Sequence, residues 1–333
     1  MSVTAHLPGF ATNAVNLASP RLEAKVIYAT DDYFAPKERL LKDEEPIFIT
    51  DKYDDHGKWM DGWESRRRRD GGNDYCIIRL GARGIIKGVD IDTKYFTGNH
   101  PPEASIDGVL SESDPDANTQ WTVIVPPTSI APNSHNFIEV ASEEQFDVLR
   151  LNIHPDGGVA RLRVYGEPLC IWMRHDPKGV HELSAITNGG RILGYNDAHY
   201  GDPWMILAPS RGTNMGDGWE TRRRREPGND WIVVQLGAAG VVERIEVDTA
   251  HFKGNYPDRC SVQAALIDPG TGGEHLTDNC SWGQLMGEQK LEMDRIHSFA
   301  GGVVNRMDAV SHVRLNIFPD GGISRFRVFG KLA

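Results

Sequence analysis

The sequence predicts an all-β chain folded as two tandem antiparallel sandwiches or jelly rolls. Three observations carry this. The first is a long internal repeat. Asp61-Gly62-Trp63-Glu64-Ser65-Arg66-Arg67-Arg68-Arg69 returns as Asp217-Gly218-Trp219-Glu220-Thr221-Arg222-Arg223-Arg224-Arg225, and about half of residues 61–107 are identical to those 156 positions later. A period this long marks a duplicated domain rather than a solenoid. The second is the pattern between the repeated blocks: short β-branched runs, several alternating at period two, bounded by Gly and Pro. The third is composition. Among 333 residues, 35 Gly and 19 Pro suit a turn-rich β protein, and that length fits about two domains of roughly 150 residues.

The chain then divides as follows. Residues 1–22 read as an N-terminal arm, 23–170 as the first repeat, 171–187 as a linker and 188–333 as the second repeat. Lys25-Val26-Ile27-Tyr28-Ala29 leads to Asp31-Asp32-Tyr33-Phe34, and Arg191-Ile192-Leu193-Gly194-Tyr195 leads to Asp197-Ala198-His199-Tyr200. Asp31 and Asp197 are 166 apart, ten more than the core spacing, so the first repeat carries ten extra residues around 44–58. A helical turn or two is expected there or in the linker. The Trp63 and Trp219 stretches follow Gly and predict strands, on which Arg66 and Arg68 face one way, Arg67 and Arg69 the other. Cys76-Ile77-Ile78-Arg79-Leu80 and Trp231-Ile232-Val233-Val234-Gln235-Leu236 predict strands ending at glycine, with Gly81, Gly84, Gly98 and their copies as turn residues. Residues 85–92 and 241–248 alternate as half-buried strands, and 121–125 forms another before Pro126-Pro127. Each repeat closes with Arg-Leu-Asn-Ile-x-Pro-Asp-Gly-Gly, at 150–158 and 314–322. This is turn chemistry between two strands, with Asp156 and Asp320 capping the turn or, as the alternative, reaching a site at a loop rim.

Charge and cysteines exclude several classes. A net charge of −11 argues against nucleic acid as a partner despite the arginine runs. No stretch reaches the roughly 18 apolar residues of a membrane helix, and the N-terminus lacks a signal-peptide pattern; a soluble cytoplasmic protein is expected. Cys76, Cys170, Cys260 and Cys280 occupy no matched positions in the two copies. They read as free thiols and match no zinc spacing.

The blocks at 59–69 and 216–225 resemble those of allantoicase. So do Asp92-Thr93 with Phe96-Thr97-Gly98-Asn99, Asp248-Thr249 with His251-Phe252-Lys253-Gly254-Asn255, and both Pro-Asp-Gly-Gly closures. The resemblance runs from about Asp31 to Gly330. It implies tandem jelly rolls of the galactose-binding type, and hydrolysis of allantoate to ureidoglycolate and urea in purine breakdown. It transfers no catalytic set, so candidate residues rest on chemistry. A substrate carboxylate calls for arginine, ureido groups for carboxylate or amide acceptors, and urea expulsion for an acid and a base.

The catalytic candidates are therefore Glu64, Glu220, Asp61, Asp217 and, as proton donor, His251. The substrate-binding candidates are Arg66, Arg67, Arg68, Arg222, Arg223 and Arg224, with Asn99 and Asn255. Each has a plainer reading: the arginines as ion-pair partners of Glu64, Asp70 and Asp74, and Trp63 and Trp219 as core. His135 and His297 match between the copies, whereas His251 faces Tyr95, so a site kept in one repeat alone would show there. No motif demands a cofactor. His251 and Asp248, three apart, point to opposite faces of a strand, and a divalent ion held by loop carboxylates stays an open alternative. The rival readings are a non-catalytic tandem module binding carbohydrate or another small ligand and a structural assembly subunit; four adjacent arginines beside carboxylates suit an anionic, urea-like ligand better than a sugar. Exposed sandwich edges favour a homo-oligomer, a trimer or hexamer. Sedimentation at micromolar concentration is expected to return a mass above the 37.0 kDa monomer.

Overall fold

The computed structural model describes residues 8–12, 14–172, 175–267 and 280–333; the expected arm is therefore described only from residue 8, and the linker without residues 173 and 174. Two compact units result, Met1–Pro168 and Leu169–Ala333. The strands of unit 1 are β1 (Val15–Asn16), β2 (Lys25–Ala29), β3 (Tyr53–Asp54), β4 (Gly57–Lys58), β5 (Trp63–Glu64), β6 (Asp74–Asp92), β7 (Glu103–Val109), β8 (Thr122–Ser129), β9 (Phe137–Glu139), β10 (Gln145–His154), β11 (Gly158–Val159) and β12 (Arg161–Pro168). Those of unit 2 are β13 (His181–Glu182), β14 (Arg191–Tyr195), β15 (Trp219–Glu220), β16 (Asp230–Asp248), β17 (Arg259–Ala265), β18 (Gly283–Lys290), β19 (Ile296–Ala300), β20 (Val310–Phe318), β21 (Gly322–Ile323) and β22 (Arg325–Leu332).

In each unit one long strand belongs to both layers. The first part of β6 pairs with β2 and β10, and β10 continues through β7 to β8. The later part pairs with β12 and β9, and β12 takes β1 on its other side. All these pairings are antiparallel. In unit 2, β16 repeats the plan with β14, β20, β22 and β19. The expected tandem jelly-roll sandwiches are thus what forms. Alternate residues of β6 are buried, as strand periodicity requires of a sheet with one face on a core. The core of unit 1 holds Trp63, Phe96 and Phe146, and that of unit 2 holds Trp219, Phe252 and Phe326, all within 2 % of full burial.

Two local expectations are corrected. Residues 76–80 and 85–92 are not separate strands broken by glycine turns; they are one strand, bent where the pairing register shifts between Phe146 and Val148 and between Tyr165 and Gly166. Its glycines serve close approach. A Cβ on Gly81 would lie 2.3 Å from the Leu22 backbone, and one on Gly84 2.5 Å from the Glu167 carbonyl. The arginine runs are not strands either: β5 and β15 are two residues long, and residues 66–69 follow as irregular chain.

The residues before each repeat core also take part. β1 pairs with β12, and β13 pairs with β22. The next side chain inward, Leu17 or Leu183, is fully buried. Leu17 fits against Gly84 and Gly166, and Leu183 against Gly240 and Gly330, each Cδ1 lying 2.7–3.0 Å from where a Cβ would be. The extra segment of unit 1 carries the β3–β4 hairpin, and the expected helical turn falls at the end of the linker, as a 3-10 turn at Ile186–Asn188. Among the described residues no helix is long and apolar enough to cross a membrane, and all four cysteines are unbridged.

Leu17→Ala should destabilise unit 1 by about 2–5 kcal/mol, the usual range for deleting a buried leucine. Urea unfolding followed by circular dichroism checks this; a loss under about 1 kcal/mol would mean that the β1 segment is dispensable.

Candidate functional site

Each unit gathers its repeated charged residues at a rim of its own, and the sequence motif explains how. Gly62 lets the chain cross β11 closely: a Cβ there would lie 2.4 Å from the Val159 carbonyl. Trp63 follows into the core, its indole N–H donating to the Asp31 carbonyl at 2.8 Å. Glu64 pairs with Gly158, and Ser65 N–H donates to Gly157 O at 3.1 Å. The Pro155-Asp156-Gly157-Gly158 turn is thereby clamped to the start of the arginine run.

The arginines then spread over fixed carboxylates. Arg66 donates through Nε to Asp31 Oδ2 at 2.7 Å. Arg67 Nη1 lies 3.1 Å from Asp156 Oδ1, and the Arg68 backbone N–H donates to Asp156 Oδ2 at 2.8 Å. Arg68 forks onto Asp70 at 2.6 and 2.9 Å and reaches Asp74 Oδ1 at 2.8 Å. Asp31 and Asp74, with residues 66–70 and Thr30, line an open cavity of about 570 Å³. Asp156 is only 3 % exposed, while the Arg67 side chain is 66 % exposed. A buried anion thus aims an exposed cation. The hydrogen bond to Arg66 is the leading cause that holds the Asp31 carboxyl below the usual range against burial, and bonds to Asp70, then Asp74, raise the Arg68 guanidinium.

Beside this run, Asn99 Nδ2 donates to Glu64 Oε1 at 2.7 Å. Burial pushes the Glu64 carboxyl above its ordinary value, and the Asn99 bond offsets part of that shift. Asn99 is tied to the same turn, its carbonyl accepting from Gly158 N–H at 2.7 Å.

Unit 2 repeats the frame with looser side chains. Asn255 donates to Glu220. Arg224 N–H donates to Asp320 Oδ2 at 2.8 Å, and its Nη1 to Asp230 Oδ1 at 3.0 Å. The Arg222 backbone N–H donates to Asp197 at 2.9 Å, but its Nε stands 3.6 Å away. Among the described residues, Arg223 has no carboxylate partner corresponding to the Asp156 contact of Arg67.

The sequence-predicted residues thus separate. Glu64 pairs with Asn99, and Glu220 with Asn255, at the head of each arginine run, while the arginines gather on aspartates. Asp61 and Asp217 go elsewhere. Asp61 Oδ2 accepts from the fully buried Arg161 at 2.7 Å and Oδ1 from Lys42 at 2.9 Å. Asp217 Oδ1 accepts from Arg325 at 3.0 Å. Neither lines the cavity. His251 adopts φ 71° and its Nε2 donates to the Gly212 carbonyl at 2.8 Å. It anchors its loop and makes no hydrogen bond to the arginines or Glu220. Asp31, Asp156 and their copies are the residues that sequence reasoning left out of the site, having read Asp156 as a turn cap. The available signal was that both recur in each copy of the repeat, at spacings of 166 and 164 rather than the 156 of the arginine run.

A model of the allantoicase repeat matches residues 15–169 and again 181–333. A probable allantoicase 1 of Burkholderia mallei is 52 % identical over 326 residues, covering 98 % of this chain and 96 % of its own. A probable allantoicase of Photobacterium profundum is 53 % identical over 317 residues, covering 95 % and 96 %. The chain belongs to the allantoicase family. The crystal structure of the allantoicase of Saccharomyces cerevisiae is 34 % identical, with TM-score 0.79, covering 96 % of this chain and 94 % of its own. The rim residues are those that carry the allantoicase resemblance in the sequence, so family pattern and local geometry meet at one place.

Asp61→Asn should cost about 3–5 kcal/mol of stability, because it leaves the buried Arg161 without its counter-charge. The surviving folded fraction should keep parental kcat/KM. A folded variant with normal stability and a large loss of kcat would return Asp61 to the catalytic set.

Proposed function

We propose that the chain hydrolyses allantoate to ureidoglycolate and urea, with the rim of unit 1 as the site of reaction. The observation that carries this is a partly buried carboxyl, Glu64, held by Asn99 and standing two residues before the cluster of four arginines. The substrate's carboxylate suits an exposed guanidinium whose direction is already set, and Arg67 on Asp156 has that property. Arg66 and Arg68 are spent on Asp31, Asp70 and Asp74 and shape the cavity wall.

The reaction exchanges a C–N bond for a C–O bond. Water oxygen bonds the carbon bearing both ureido groups, the C–N bond breaks, and its electron pair leaves with the urea nitrogen. Glu64 takes the proton of the attacking water and returns it to that nitrogen. A carboxyl raised above its usual value by burial is a better proton acceptor than a solvated one and, once protonated, still acid enough to donate. Asn99 holds one oxygen of Glu64 and leaves the other for water. A carbohydrate-binding reading has less support, since the rim is charged and its tryptophans, Trp63 and Trp219, are fully buried.

Two outcomes are expected. Arg67→Ala should lower kcat/KM for allantoate by at least about tenfold, the scale of losing one hydrogen bond to a charged group, roughly 1.5–3 kcal/mol. Urea release by a variant shown to be folded checks it, and near-parental activity would make Arg67 structural. Glu64 must be ionised to act as base, so kcat/KM should fall as pH drops through its raised pKa. Asn99→Ala removes the bond that favours the carboxylate, so the acid limb should move to higher pH. An acid limb unchanged in Asn99→Ala would separate Glu64 from the proton transfer.

A further inference from the structure

Unit 1 holds a second polar cluster that the proposed hydrolysis does not use. At the far end of β6, Asp90 and Asp92 are buried to within 1 %. Around them stand His135, Glu45 and Arg163. His135 Nδ1 is 2.7 Å from Asp90 Oδ2 and 4.0 Å from Asp92 Oδ2. One ligand atom each from Glu45, Asp92 and His135 lies within 4.8 Å of the others. Asp92 Oδ1 accepts from Lys94 N–H, but Asp92 Oδ2 and Asp90 Oδ1 accept no hydrogen bond although buried. Arg163 does not supply it. Its Nη2 holds Glu45 at 2.8 Å, and its Nη1 stands 3.7 and 3.8 Å from the two aspartates. Lys94 takes the other oxygen of Glu45 at 3.2 Å. Glu45, itself 59 % exposed, takes Arg163 Nη2 and Lys94, so the buried Asp90 and Asp92 keep only His135 close by, and a buried carboxylate oxygen left without a partner is costly.

Unit 2 shows how the same place is neutralised when the chain supplies the charge. The arginine beneath the Trp motif donates its Nε to Glu44 O in unit 1 and to Ser210 O in unit 2, so Glu45 and Arg211 occupy corresponding positions. Arg211 Nε lies 3.3 Å from Asp248 Oδ2, the counterpart of the unpartnered Asp92 oxygen. His297, the matched histidine, spends both ring nitrogens on backbone: Nε2 accepts from Glu292 N–H at 2.8 Å and Nδ1 donates to Val247 O at 3.1 Å. Unit 1 has a carboxylate where unit 2 has a guanidinium, and an imidazole on carboxylates where unit 2 has one on backbone.

We propose that Glu45, Asp92 and His135, backed by Asp90, bind one divalent cation in unit 1 alone. One imidazole with carboxylate oxygens suits Mn²⁺ or Zn²⁺ better than Ca²⁺. The ion takes the unpartnered Asp92 Oδ2 as a ligand and ties the 42–48 segment to β6. The site shares no residue with the Glu64–Asn99 pair or the arginine run, so its test does not read urea release.

The experiment strips the full chain with chelator, titrates it with MnCl₂ and follows free Mn²⁺ by electron paramagnetic resonance. One ion per chain is expected. Glu45→Arg installs the unit 2 pairing, and His135→Ala removes the imidazole; both positions are at least partly exposed, and circular dichroism verifies folding. Each variant should weaken Mn²⁺ binding by at least about tenfold. No stoichiometric binding by the parent chain, or parental affinity in either folded variant, overturns the proposal.

Discussion

The rim depends on a buried ion pair at its base. Arg161, fully buried, donates Nη2 to Asp61 Oδ2, Nη1 to the Asp61 and Ala160 carbonyls, and Nε to the Glu44 carbonyl. Arg325 repeats the set on Asp217, Ser324 and Ser210. A buried guanidinium is tolerable only when its donors are satisfied. Meeting that demand brings three chain segments together: the last strand, the Asp-Gly-Trp corner and the loop before it. The corner sets where the next residues emerge, so Glu64 and the arginines inherit their position from a pair that takes no part in binding.

The same dependence explains which features were legible in the sequence. The duplicated blocks gave the tandem sandwiches, because a repeat of strand-period runs with glycine turns has few other ways to close a core. Trp63 and Trp219 were readable as core for the same reason. The long bent strands were not legible. Gly81 and Gly84 look like turn residues in one dimension, and only the neighbours Leu22 and Glu167, remote in sequence, show that they exist to admit another chain. Nor was the irregular path of residues 66–69, since alternation of identical side chains carries no periodicity to read.

The site was legible in composition but not in assignment. Arginine, glutamate and asparagine types suit an anionic, ureido-bearing ligand, and the structure pairs Glu64 with Asn99 at the head of the arginine run. Asp61 sits in the same block and was indistinguishable from Glu64 by type. What separates them is direction: Asp61 lies before the corner and faces Arg161, whereas Glu64 lies after it and faces Asn99. Asp156 was discounted because Pro-Asp-Gly-Gly explains itself as a turn. In the fold that turn is also the anvil on which Arg67 is set.

Duplication left two copies of this frame, and their differences bear on which one works. Net charge is −11 for the chain, and salt screens long-range fields beyond about 8 Å, so the attraction for an anion has to be local. In unit 1 nearly every guanidinium of the run is already answered by an aspartate, so the cluster is not a reservoir of free positive charge. Its value lies in fixed direction: Asp156 keeps Arg67 aimed before the ligand arrives, and preorganised charge costs no rearrangement when the reaction needs it. Arg223 has no such anchor, and Arg222 is held less closely than Arg66. An arginine free to reorient binds an anion at the cost of its own side-chain freedom. This is the physical ground for proposing the first unit as the site of reaction, while the second keeps the scaffold with its rim only partly set.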